Sequence, residues 1–120
     1  MEYMILLYSD ESARPDFAPG TPEFESMMSD WMTFNQELID SGNFVTGGSL
    51  APSSSATMLH KSFDGSTSTV DGPYAETKEQ IGGYYLVRAN DLDHALEIAK
   101  RIPIPAGSFE VRPIDFRPDA

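Results

Sequence analysis

Gln80-Ile81-Gly82-Gly83-Tyr84-Tyr85-Leu86-Val87-Arg88, followed by Asn90-Asp91-Leu92-Asp93-His94-Ala95-Leu96, decides the fold. The first part has the aromatic and β-branched character of a strand, opened by a glycine pair. Tyr84 and Tyr85 must point to opposite faces of it, one into a core or interface and the other toward a cleft. Asn90-Asp91 then cap a helix with Leu92, Ala95, Leu96, Ala99 and Ile102 inward, and Pro103 and Pro105 end it. Ser108–Phe116 reads as the last strand, with Phe109, Val111 and Ile114 apolar.

Upstream, Tyr3–Tyr8 is an apolar run of strand length, the expected central strand. Ser9–Gly20 is polar and carries Pro15, Pro19 and Gly20, so it is a loop. Thr21-Pro22 starts a helix, with Thr as N-cap and Pro where its missing N–H costs nothing. Glu23 and Glu25 suit the positive end of the helix dipole. Phe24, Met27, Met28, Trp31, Phe34, Leu38 and Ile39 recur at three- and four-residue spacing up to about Ser41, and Gly42 stops the helix. Core packing explains that stripe better than a ligand groove does, because Met fills irregular gaps. Asn43–Leu50 is a strand that falters at Gly47-Gly48. Ala56–Phe63 and Ser66–Val70 are strands joined by Asp64-Gly65, a hairpin signal.

The order is strand, helix, strand, hairpin, strand, helix, strand. Without the hairpin it is β-α-β-β-α-β, an α+β ferredoxin-like plan. Residues 1–120 are expected to form one domain. Two helices cannot cover both faces of the sheet, so a sheet-to-sheet homodimer would hide the second face.

Composition narrows the partners. There are 8 Lys+Arg and 19 Asp+Glu, so 8 − 19 = −11. Such a charge repels phosphate backbones and anionic membranes, which excludes direct nucleic-acid binding. No cysteine is present, so thiolate catalysis and Cys-ligated metals are excluded. The two histidines show no metal-ligand spacing, and no metal or cofactor is expected. The run Met4–Tyr8 is too short for a signal or membrane span, and a cytoplasmic location is expected.

Asp71-Gly72-Pro73-Tyr74-Ala75-Glu76-Thr77-Lys78-Glu79 packs three carboxylates, a lysine and a phenol between two strands. With Gln80-Ile81-Gly82-Gly83-Tyr84-Tyr85 it resembles the signature of the YCII-related proteins of the DGPF type, with Tyr74 where that name has Phe. The opening Tyr3–Tyr8, Asp91–Leu96 leading to Arg101-Ile102-Pro103, and Gly107–Pro113 are similar to the same family. The resemblance implies a dimeric α/β barrel and an enzyme-like cleft, with no established reaction for the DGPF branch. It also implies a possible link to sigma factors of the extracytoplasmic-function type. The YCII branch uses a histidine on the first helix. Phe24–Ser41 has none, so that mechanism does not carry over.

Two readings of the motif stand side by side. In the structural one, Asp71 caps, Gly72-Pro73 turns the chain, Tyr74–Glu79 forms a helical turn, and Glu76, Lys78 and Glu79 are a solvated face. In the functional one, Asp71 is a general base on a small molecule, and Tyr74, Glu76, Lys78, Glu79 and Tyr84 line the site. A two-residue Asp64-Gly65 turn places His60 opposite Thr69 and diagonal to Asp71, close enough for an acid/base dyad. A single bulge would separate them. His94, in the first helical turn, is expected on the surface. The rival function is a ligand-sensing or protein-interaction module linked to a sigma factor.

Overall fold

The computed structural model describes residues 1–72 and 78–119. The elements are β1 (Glu2–Ser9), α1 (Pro22–Asp40), β2 (Phe44–Ser49), β3 (Thr57–Lys61), β4 (Thr67–Asp71), β5 (Gln80–Arg88), α2 (Leu92–Arg101) and β6 (Ser108–Pro113). Short 3-10 turns at Glu11–Ala13 and Ser53–Ser55 punctuate the loops. Four strands form one sheet in the order β2-β5-β1-β6, and every neighbouring pair is antiparallel. With two helices, this is an α+β architecture compatible with a ferredoxin-like fold.

Local chemistry sets the helix ends. Thr21 Oγ1 accepts from the Phe24 N–H at 3.3 Å, and Pro22 occupies the first helical position. Asp91 Oδ1 accepts from the His94 N–H at 2.9 Å. His94 reaches back, its Nδ1 accepting from the Asn90 N–H at 3.0 Å. The two bonds resemble a capping box shifted by one residue, with His in the usual Glu position reaching the N–H before the cap. His94 is therefore half-buried and structural rather than a free surface group.

One face of the sheet carries the core. Tyr3, Ile5 and Leu7 of β1 alternate inward, beside Tyr85 and Val87 of β5. Phe34 and Leu38 of α1, and Ala95, Ile98 and Ala99 of α2, close over them. Ile5, Leu38, Val87 and Ile98 are the largest fully buried side chains. Each such burial contributes roughly 1.5–3 kcal/mol. In α2 the inward stripe is Ala95, Ile98, Ala99 and Ile102, whereas Leu92 and Leu96 face outward. The sequence pattern had assigned Leu92 and Leu96 inward, because apolar character alone does not fix helix phase.

Only the second half of α1 reaches the core. Phe24, Met27 and Trp31 are half-exposed, and Met28 and Met32 more so. β6 ends at Pro113 rather than Phe116, although the Ile114 N–H still donates to the Glu2 carbonyl at 2.8 Å. Pro113 is the last strand residue, opposite Tyr3, and has no N–H of its own to donate.

The hairpin stands apart as a two-stranded sheet of its own, β3-β4. Its turn differs from the two-residue turn expected at Asp64-Gly65. The Ser62 N–H donates to the Ser66 carbonyl at 2.8 Å, and the Gly65 N–H to the Ser62 carbonyl at 2.9 Å. The loop is thus Phe63-Asp64-Gly65, with Gly65 at φ +89° in the left-handed region. Asp64 Oδ1 accepts from both the N–H and hydroxyl of Ser66, fixing that turn and holding the Asp64 carboxyl below its ordinary pKa. One extra loop residue shifts the register by one.

Candidate functional site

The shifted register decides the histidine question. Observed partners are Thr57↔Asp71, Leu59↔Thr69, His60↔Ser68 and Lys61↔Thr67. Asp71 therefore shares a face with Leu59 and Lys61, and His60 points to the other face with Met58 and Val70. The His60–Asp71 dyad does not form, because alternation puts the two side chains on opposite sides of the ribbon. Both residues are exposed. Asp71 sits at the root of the ribbon, where the next residue's N–H, Gly72, donates to the Ala56 carbonyl at 2.6 Å.

The motif's interior, Pro73–Thr77, lies outside the described residues, and with it Tyr74, Glu76 and most of the helical turn expected there. Its tail is well placed. Glu79 is half-buried, and its Oε1 accepts from the Ser108 hydroxyl at the start of β6 at 2.9 Å. Lys78 is exposed and lies near enough to Asp10 to help depress its pKa. The larger cause there is hydrogen bonding from Ser12, whose hydroxyl and N–H reach Asp10 Oδ1 at 2.6 and 3.0 Å. The motif tail thus meets the end of β1 and the beginning of β6. Asp10, Ser12 and Ser108 were not singled out in the sequence, although Asp-x-Ser directly after a strand is a legible turn pattern.

Nearby, the Glu11 carboxylate accepts from the Ser53 N–H at 3.0 Å and from its hydroxyl at 2.8 Å, and pairs with Arg14 at 3.6 Å. These contacts tie the β1 exit to the loop that leads into the ribbon. Tyr84 lies on the uncovered sheet face, opposite Leu6. Its ring rests over Gly48, where an added Cβ would stand 3.0 Å from ring carbon Cε1. Tyr85 goes the other way. Its phenol donates to Asn35 Oδ1, its ring meets Phe34 edge-on at 5.5 Å, and burial raises its pKa. Phenol and amide are spent on each other, so Tyr85 braces α1 against β5.

The uncovered face holds an open groove of about 560 Å³, floored by Met4 and Leu6 and walled by Tyr8, Glu110, Arg112 and the segment Pro113–Phe116. The Arg112 Nε donates to the Glu110 carboxylate at the groove wall. Among the described residues no group of three or more His, Cys, Asp or Glu is arranged to hold a metal ion. No helix among them is long and apolar enough to cross a membrane.

Sheet order, capped helices and the motif tail together define an α+β protein of one family. The chain belongs to the YCII-related family, whose domain model matches residues 1–116. It is 37% identical over 117 residues to an uncharacterized protein, R00369, of Rhizobium meliloti (strain 1021), covering 95% of this chain and 92% of that one.

Proposed function

We propose that the chain is a DGPF-branch YCII protein, a cytoplasmic homodimer that binds a small molecule beside the motif tail and acts on it by cofactor-independent acid/base chemistry. One observation supports this reading: Glu79 accepts from Ser108 at the start of β6 and Lys78 helps depress the pKa of Asp10 just past β1, so the motif tail adjoins the ends of both strands. Asp10 stays ionised and suits charge stabilisation, and Lys78 offers the opposite charge. Asp71 is the base in this proposal and Tyr84 orients; Tyr74 and Glu76, the other residues of the motif assigned to substrate, lie outside the described residues. His60 takes no part, since it faces away from Asp71. The dimer is of the α/β-barrel kind, with Met4, Leu6 and Tyr84 of the uncovered face set against a second copy.

The test is a metabolite library screened by thermal shift, with turnover of each stabilising compound then followed directly. Asp71→Asn should keep the melting temperature and lower turnover by about 10²–10⁴-fold, the usual contribution of a general base. Unchanged turnover in that variant would remove Asp71 from the chemistry.

The exposed β3–β4 ribbon favours a second reading, a protein-interaction module that contacts a sigma factor. Affinity capture with an extracytoplasmic-function sigma factor as the defined bait tests it. No retention at micromolar concentrations would end it.

A further inference from the structure

Arg14 closes the short turn that follows β1, and its guanidinium lies over Gly82 of β5. A Cβ at Gly82 would stand 3.8 Å from Arg14 Nη1 and 4.0 Å from Nη2. Atoms beyond that Cβ would take the space that the guanidinium holds. Gly82 is the extra residue of a β-bulge, since Leu7 pairs with Gly83 and Tyr8 with Ile81. Bulges and strand glycines recur where a side chain or a ligand comes close to the backbone.

Glu11 aims the guanidinium without consuming it. One carboxylate oxygen lies 3.6 Å from Arg14 Nη2. The same carboxylate already accepts from the Ser53 N–H at 3.0 Å and the Ser53 hydroxyl at 2.8 Å. The guanidinium has no hydrogen-bond acceptor among the described residues, whereas Arg117 forks onto Glu2 with two bonds. The Arg14 and Glu11 side chains are 51% and 25% exposed, and an ion pair that open contributes little to stability. Stability therefore does not account for a guanidinium held over a bulge.

One tight turn joins Arg14 to the proposed base. The Ala56 N–H donates to the Ser53 carbonyl at 3.0 Å, so Ser53–Ala56 closes on itself. Glu11 grips the first residue of that turn. The carbonyl of its last residue, Ala56, accepts from Gly72, the neighbour of Asp71. Arg14 and Asp71 thus flank the same turn.

Chemistry selects the ligand. A guanidinium offers a planar fork that meets a carboxylate with two parallel N–H···O bonds. A dianion fits worse, because the chain carries a net charge of −11 and Asp10 and Glu11 belong to the same turn as Arg14. Asp10, Glu11 and Glu79 each accept from a serine hydroxyl, whereas the Arg14 fork has no acceptor among the described residues.

We infer that Arg14, laid over the Gly82 bulge and aimed by Glu11, is the anion-binding residue of the site and takes the carboxylate of a small organic acid. This rests on the small-molecule site proposed above and names its substrate class. Arg14 holds the acid, and Asp71 remains the base.

An NMR titration tests it, with the Gly82 N–H as the reporter beside the guanidinium. The probes are acetate, pyruvate and benzoate, each run beside its neutral amide, and inorganic phosphate. The wild type should give saturable shifts of the Gly82 signal with at least one of the acids and none with the matching amide. Arg14→Gln should weaken that acid by at least about 10-fold in dissociation constant. Arg14→Lys should also weaken it, because an ammonium lacks the planar fork. Circular dichroism checks that both variants keep the fold. The inference is overturned by silence toward all three acids, by equal affinity for acid and amide, by tighter binding of phosphate, or by an acid whose affinity Arg14→Gln leaves unchanged. The catalytic reading fails separately. If acids bind through Arg14 and no stabilising compound turns over, the acid/base chemistry falls and the anion site stands. If a neutral compound turns over in an Asp71-dependent way and no acid binds, the anion site falls alone.

Discussion

Tyr85 and Tyr84 show how adjacent residues take separate fates. The strand period puts Tyr84 and Tyr85 on opposite faces, which was legible in the sequence, and the packing decided that Tyr85 is the one in the core. The partner of Tyr85 was not legible, because Asn35 lies fifty residues away on α1 and only packing brings the two together. Tyr85→Phe removes the hydroxyl and strands the Asn35 carbonyl. It should lower stability by about 1 kcal/mol, measured by urea denaturation, and Tyr85→Phe with Asn35→Leu should cost less than the two single changes added. The glycine pair on β2 is the same story seen from below: Gly47 and Gly48 are where the two tyrosine rings lie, and a Cβ at either would stand 3.0 Å from a ring.

At the scale of elements, caps and strand periods were readable, and registers were not. Asp91 and Thr21 are caps because short oxygen-bearing side chains compete for free N–H groups, a local effect. Asp91→Ala should cost about 1 kcal/mol, and His94→Ala a smaller amount, both seen as lower melting temperatures. The hairpin failed in register because Asp64-Gly65 serves either a two- or a three-residue loop. Ser66 decided between them by donating to Asp64. That one residue separated His60 from Asp71, so an error of a single position removed the catalytic pair expected from the sequence.

For the whole molecule, the decisive fact is uneven coverage. Two helices bury one face of the sheet and leave the other with Met4, Leu6, Tyr8 and Tyr84 half-exposed. The last residues help tie the chain down. Arg117 forks onto the Glu2 carboxylate, with both bonds at 3.0 Å, and holds the Glu2 pKa below the ordinary carboxylate range. A carboxyl depressed in the folded state contributes stability that is present above its unfolded pKa and lost as pH falls through the folded one. Wild type should therefore melt above Glu2→Gln near neutral pH, and the gap should close on acidification below the usual carboxylate range. A gap constant with pH would mean that the pair contributes nothing through charge.

The sequence by itself determined the order of elements, the helix caps, the acidic charge and the family, because each depends on near neighbours or on composition. Only the tertiary structure decided which residues of α2 face inward, how the hairpin is registered, that Glu79 turns to Ser108, and that the ribbon stands clear of the core. Those outcomes depend on contacts between residues far apart in the chain, and pattern carries no information about which of several equally apolar or polar surfaces will find each other.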